Sequence, residues 1–265
     1  MILKKGLPLP ECLKERFPGA EGLVCVAVKL PPKETDQPYK VASSGLAPDY
    51  HDVVRDICAG QGEVLCDHSY YGQKEMARRA GLGAVARNGL LWCPELKCFP
   101  YLGEIVTDRP AEAVSAGSLF RCPAVPCKNS ACASCPALKD GFCRELCISH
   151  ITQKNGPFSY DEAVRIGYNI YGCDLCQQTC PLCRWEPLRV EMPPLEFWLD
   201  ISKAGFEENR SRYPFLWIGR NKVRRNALAA AYNLRLDCAE EYLKKAAGDP
   251  SAAVSQTASA LLEHL

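Results

Sequence analysis

Ten of the 17 cysteines in this 265-residue chain fall between Cys122 and Cys183. Thiols crowded in this way either pair as disulfides in a secreted scaffold or hold metal in a reducing compartment. Disulfide scaffolds are small, whereas this chain is long enough to bury a core of its own. Its opening stretch, MILKKGLPLPECLKERFPG, has no apolar run like that of a signal peptide. Metal is therefore the chemistry expected of these cysteines.

The sharpest motif is GCDLCQQTCP, carrying Cys173, Cys176, Cys180 and Pro181. The spacing C-x2-C-x3-C-P closes the iron–sulfur ligand run of two-cluster ferredoxins. Two residues between thiolates let one turn present both sulfurs and nearby amides to one cluster. The third cysteine projects elsewhere, and proline breaks the turn. Zinc is the competing occupant of C-x2-C, but zinc ribbons pair two such units without the x3-C-P tail. The upstream run, CPAVPCKNSACASCPALKDGFCRELC, is less regular. Cys132 and Cys135 form a second C-x2-C before Pro136, and four residues separate Cys122 from Cys127 and Cys127 from Cys132. Two four-iron clusters need eight thiolates, and this region holds more than enough. Spacing alone leaves the assignment open.

Other segments must position these thiols. Hydrophobic residues make up 47% and charged residues 24%, which excludes wholesale disorder. A net charge of +1 excludes a polyelectrolyte. No apolar run reaches the length of a membrane span, so the expectation is a soluble, cytoplasmic protein without a membrane partner. LVCVAVKL at 23–30 reads as a buried strand. GQKEMARRAGLG reads as a helix stopped at Gly81 or Gly83. GLLWC at 89–93 and YLGEIVTD at 101–108 read as two neighbouring strands, and this order suggests an α/β layer. Ser159 followed by Glu162 has capping-box spacing. EMPPLEFWL reads as a proline-interrupted connection. From Asn221 onward the pattern is helical, with Asp249-Pro250 at a helix start.

Several segments together carry a resemblance. CISHITQKNGPFSYDEAVRIGYNIYGCDLCQQTCP, from Cys147 to Pro181, resembles the double-cluster segment of the epoxyqueuosine reductase family, whose more distant relatives are the reductive dehalogenases. FPGAEGLVCVAV at 17–28, GLAPDYHDVV at 45–54, CDHSYYGQKEMARRAGLGAVARNGLL at 66–91, YLGEIVTD and NKVRRNALAAAYNL resemble further parts of it. The resemblance covers about nine-tenths of the chain, in patches, and implies a reductase of the tRNA base epoxyqueuosine. Such an enzyme uses two [4Fe–4S] clusters and base-off cobalamin, and is fed by an electron donor such as a ferredoxin or flavodoxin. The implied fold is α+β or α/β. It has a corrinoid-reductase-like α/β domain at 1–118, a ferredoxin-like double-cluster segment at 119–190 and a HEAT-like helical region at 191–265. Asp67 takes the place of the family's general acid. Cys135, Cys147, Cys173 and Cys176 fall to the cluster nearer the corrinoid. Cys122, Cys127, Cys132 and Cys180 fall to the other. A second frame groups Cys127, Cys132 and Cys135, with Cys143 as the crossing ligand. Cys183 is a stray or alternative ligand.

The departures lie where the family builds its corrinoid pocket. Its D-T-G-P is Asp67-His68-Ser69-Tyr70, its G-K-N is Ala86-Arg87-Asn88, and its G-S before FLGE is Cys98-Phe99-Pro100. The chain also starts late against the family and shortens the stretch from His51 to Asp67. Two rival readings follow: an electron-transfer protein or partner subunit that has lost the corrinoid site, and an RNA-associated protein with structural clusters. His51 and His68 are polar candidates beside Asp67, although a structural role is the stronger expectation for each, as packing is for Tyr70 and Tyr71. Arg210, Arg212, Arg220, Lys222, Arg224 and Arg225, interleaved with Tyr213, Phe215 and Trp217, form a candidate phosphate-contact cluster, with a solvated helix face as the plain alternative.

Overall fold

A computed structural model describes residues 1–110, 122 and 133–265, so Cys127 and Cys132 lie outside the described residues. In chain order the strands are β1 (Ile2–Pro8), β2 (Gly22–Val28), β3 (Lys33–Thr35), β4 (Lys40–Val41), β5 (Glu63–Leu65), β6 (Ala84–Val85), β7 (Leu91–Trp92), β8 (Tyr101–Thr107), β9 (Asn169–Tyr171) and β10 (Leu188–Val190). The helices are α1 (Glu11–Lys14), α2 (Ser43–Leu46), α3 (Tyr50–Cys58), α4 (Gln73–Arg79), α5 (Ile148–Gln153), α6 (Tyr160–Ile166), α7 (Leu175–Gln178), α8 (Leu195–Leu199), α9 (Lys203–Asn209), α10 (Arg220–Asn233), α11 (Ala239–Ala247) and α12 (Ala252–Leu262). Two units emerge from these elements. Unit 1 comprises Met1–Pro31, Asp49–Phe142 and Leu175–Trp185; unit 2 comprises Pro32–Pro48, Cys143–Asp174 and Glu186–Leu265.

Unit 1 is built on a four-stranded antiparallel sheet in the order β1-β2-β8-β5. Strand β2 is buried on both faces. Leu23, Cys25 and Ala27 join Leu7, Leu13, Leu82 and Leu91 in one core, while Val26 and Val28 join Val54, Cys58 and Ile105 in another. Burial on two sides is why this strand reads as a continuous apolar run. Helix α3 closes on β8 at Gly103, where a Cβ would stand 2.3 Å from Val54 Cγ1. Helix α4 stops as its glycines predict: Gly81 takes φ +74 and Leu82 N–H bonds back to the Ala77 carbonyl at 3.0 Å.

The expected pairing of 89–93 with 101–108 is not found. Leu91–Trp92 pairs with Ala84–Val85, and β8 pairs with β2 and β5. The turn between β6 and β7 decides this, because Gly89 at φ +73 and the Ala86 N–H bond to Leu90 O close a local hairpin.

Unit 2 is organised around α10, whose residues Val223 to Ala231 are all buried. Four alanines, Ala227, Ala229, Ala230 and Ala231, let α6, α8, α12 and β9 approach it closely. The helices expected after Asn221 are present. The capping box of α6 is complete: Ser159 N–H donates to Glu162 Oε2 at 2.9 Å, and Glu162 N–H to Ser159 Oγ at 3.3 Å. The stretch read as a connection instead holds α8, with Trp198 fully buried and its indole N–H donating to Tyr39 Oη at 2.7 Å. Its prolines stop at the cap, Pro194, and leave Leu195–Leu199 free to turn. Asp249-Pro250 also works differently from expectation. Ser251 takes the N-cap position of α12 without a side-chain capping bond, while Asp249 accepts the Ser251 N–H at 2.8 Å and pairs with Arg224 at 2.5 Å. No helix among the described residues is long and apolar enough to cross a membrane.

Candidate functional site

Cys143, Cys147 and Cys173 belong to unit 2. Cys147 is the N-cap of α5, and Cys173 follows β9. Two residues of α10 hold both approaches. Asn226 Nδ2 donates to Thr152 O and Ile170 O, each at 2.8 Å. Arg225 is fully buried and spends its guanidinium on the carbonyls of Thr152, Lys154 and Gly156, with its plane 3.8 Å from the Phe158 ring centroid. Thr152 Oγ1 in turn accepts Gly172 N–H at 2.9 Å. Gly172, at φ +63, leaves no room for a side chain, since a Cβ would stand 2.5 Å from Ala42 Cβ. Asp174 accepts Ser43 N–H at 2.5 Å, and burial pushes its carboxyl up to about 6.

These bonds correct the reading of the basic cluster. Arg224 and Arg225 are buried and paired internally, Arg220 donates to Ile201 O at 2.6 Å, and Lys222 donates to Gln153 O at 3.1 Å. A helix with buried arginines is a scaffold, since each guanidinium needs the carbonyls it reaches. Arg210 and Arg212 remain at the surface.

Cys122, Cys135, Cys176, Cys180 and Cys183 belong to unit 1. Cys176 lies on the short α7, and buried Asn88 donates from Nδ2 to its sulfur at 3.4 Å. Amide bonds to a ligand sulfur are among the features that tune an iron–sulfur centre. Two bonds stitch the end of the C-x2-C-x3-C-P run to the β7 region: Trp92 Nε1 to Leu182 O at 3.3 Å, and Arg184 N–H to Lys97 O at 2.8 Å. Burial, then the neighbouring Cys180, push the Cys183 thiol far up, with Cys98 and Cys122 adding to the shift. Among the described residues no three His, Cys, Asp or Glu side chains close on the position of a single metal ion. A four-iron cube spreads its thiolates wider than one ion does, and half-buried cysteines in short turns beside an amide donor suit it chemically. For a corrinoid, the two side chains of Ala86–Asn88 that could donate are already engaged. Arg87 is spent on the carbonyls of Leu138 and Lys139, and Asn88 on Cys176.

Asp67 follows β5 in unit 1 in a left-handed conformation, φ +45, which non-glycine residues rarely adopt. Its side chain is 65% exposed yet held. Tyr50 Oη donates to Oδ2, and His51 Nε2 stands 3.4 Å from the same oxygen. His51 Nδ1 meets Asp49 Oδ1 at 2.7 Å, and Tyr50 stacks on Tyr101 at 4.9 Å. Burial and the Asp67 carboxylate push the Tyr50 phenol far up, so it stays a donor.

Behind Asp67, His68 turns inward. Its Nε2 lies 2.6 Å from Glu104 Oε2, which also accepts Tyr71 Oη at 2.7 Å. Tyr50 and Glu104 are not among the residues that the sequence singles out. The signal for Glu104 was its place in YLGEIVTD, an acid inside an otherwise apolar strand, which burial obliges to find partners.

No protein-family model matches the chain. Among solved structures, one of epoxyqueuosine reductase with a tRNA-Tyr epoxyqueuosine-modified stem loop superposes with a TM-score of 0.77 at 22% identity, covering 99% of this chain and 85% of that one. Another, epoxyqueuosine reductase from Bacillus subtilis with its catalytic loop swung out of the active site, gives a TM-score of 0.74 at 22% identity, covering 97% and 84%. The fold is therefore that of the epoxyqueuosine reductases. The curated epoxyqueuosine reductase of Bacillus subtilis is 28% identical over 255 residues, covering 81% of this chain. The chain spans 63% of that relative's length. In sequence as in fold, the chain is similar to epoxyqueuosine reductases.

Proposed function

We propose that this chain is an epoxyqueuosine reductase, acting on the modified base in tRNA. Removing an epoxide oxygen consumes two electrons and two protons and leaves a double bond and water. Asp67 supplies a proton to that oxygen, held in place by Tyr50 and His51. The observation that carries this reading is an acid that is exposed yet fixed, on a strained backbone, at the family's acid position.

Cys135, Cys147, Cys173 and Cys176 are proposed for one [4Fe–4S] cluster, and Cys122, Cys127, Cys132 and Cys180 for the other. Electrons come from a ferredoxin or flavodoxin. A base-off corrinoid, when bound, would supply a strongly reducing cobalt. The division into a corrinoid-reductase-like part at 1–118, a cluster segment at 119–190 and a HEAT-like part at 191–265 is proposed as a division of labour, in a cytoplasmic enzyme.

A second reading, an electron-transfer protein without a corrinoid site, is favoured by one observation: Arg87 and His68 are both committed to internal partners. One experiment separates the two. The protein, reconstituted without oxygen and offered cobalamin, is analysed for iron, sulfide and cobalt, then assayed on an epoxyqueuosine stem loop. The reductase reading expects about eight irons, of which Cys176→Ser loses about half, with cobalt uptake and turnover that Asp67→Asn lowers by about 100-fold or more. Eight irons without cobalt or turnover would establish the electron carrier instead.

A further inference from the structure

We propose that Glu104 latches the segment from Asp67 to Tyr71, with His68 and Tyr71 as positioning residues that keep the Asp67 carboxyl facing Tyr50 and His51. This rests on the reading of Asp67 as the proton donor. Glu104 is fully buried on β8, opposite Leu65 of β5 and Cys25 of β2. The segment leaves the sheet directly after that register position.

The hydrogen bonds fix the tautomer of His68. Tyr70 N–H donates to His68 Nδ1 at 3.3 Å, so the His68 proton sits on Nε2 and points at Glu104 Oε2, 2.6 Å away. Tyr71 Oη donates to the same oxygen. Glu104 Oε2 thus accepts two strong bonds, which favour its charged form against the burial that pushes the carboxyl up, and its remaining partner is the weak Cys25 thiol at 3.9 Å. Both strong donors belong to the segment that carries Asp67. Moving that segment outward would strand a buried carboxyl group without its two strong donors, which is costlier than losing an exposed bond. The rings reinforce the latch: His68 stacks on Tyr70 at 5.0 Å, meets Tyr71 edge-on at 4.6 Å, and Arg16 covers Tyr70 at 4.7 Å. His68 stands where the resembled family has threonine, so the stronger arm of the latch is this chain's own.

Hydrogen–deuterium exchange on the full chain tests it. His68→Thr should raise exchange across residues 66–72 by about tenfold, the value of one strong buried hydrogen bond. Amides of Val24–Val28 should stay protected. Tyr71→Phe should produce a similar local effect, and His68→Gln, which keeps an N–H donor, should restore most of the protection. Unchanged exchange at 66–72 in His68→Thr would overturn the latch, as would a rise spread evenly through the sheet. In the reductase assay His68→Thr should lower kcat and leave KM for the stem loop unchanged. Exchange is read without turnover, so it decides the latch even if Asp67→Asn shows that Asp67 is not the acid.

Discussion

Single side chains carry much of this structure, and the most consequential are polar groups inside a core. Asn226 holds two carbonyls, one beyond Cys147 and one before Cys173. Asn226→Ala leaves the Ile170 carbonyl buried without that donor. The expected cost is about 2 kcal/mol, checked by urea unfolding, with a parallel fall in iron retained after gel filtration. An Asn226→Ala protein as stable as wild type would remove α10 from the support of these cysteines. At this helix the side chains turn opposite to what the sequence suggests, for a physical reason. Arginines in a run look like a solvated or phosphate-binding face, and only the carbonyls of residues 152–156, far away in the chain, show that Arg225 faces inward.

At the scale of elements, local signals were legible where a local rule sets the outcome. The capping box of α6, the glycine stop of α4 and the doubly buried β2 all follow from neighbours in sequence. The partner of β8 and the helix α8 depend on distant contacts and were not. Helix α6 yields a quantitative test. Burial pushes the Glu162 carboxyl up, but the Lys154 ammonium and the Ser159 N–H outweigh it and hold it below the usual carboxylate range. A depressed value means that the charged form stabilises the fold. That contribution is complete above the unfolded value of about 4.3 and is lost as pH falls through the folded one. Glu162→Ala should cost about 1 kcal/mol at pH 7. The gap from wild type should narrow below about pH 4, as followed by thermal melts in a pH series; a gap independent of pH would refute the charge argument.

At the scale of the whole molecule, composition and contacts cut the chain differently. Sequence character divides it into three consecutive stretches, whereas the two units are each made of three separated pieces. Cys147 and Cys173 belong to one unit, Cys176 and Cys180 to the other, although only two residues separate Cys173 from Cys176. Composition changes along a chain, but units are defined by contacts between segments far apart in it. A fragment ending at residue 118 should therefore lack part of unit 1 and be unfolded by circular dichroism. One ending at 185 retains every piece of that unit and should keep its sheet; a folded 1–118 fragment would contradict the interleaving.

The alternation also bears on inheritance. A break in the gene anywhere within codons 49–174 leaves an upstream product without the last piece of unit 1 and a downstream product without the first piece of unit 2. Neither half could be lent to another protein by simple fusion, so recombination inside this region passes on the architecture entire or destroys it.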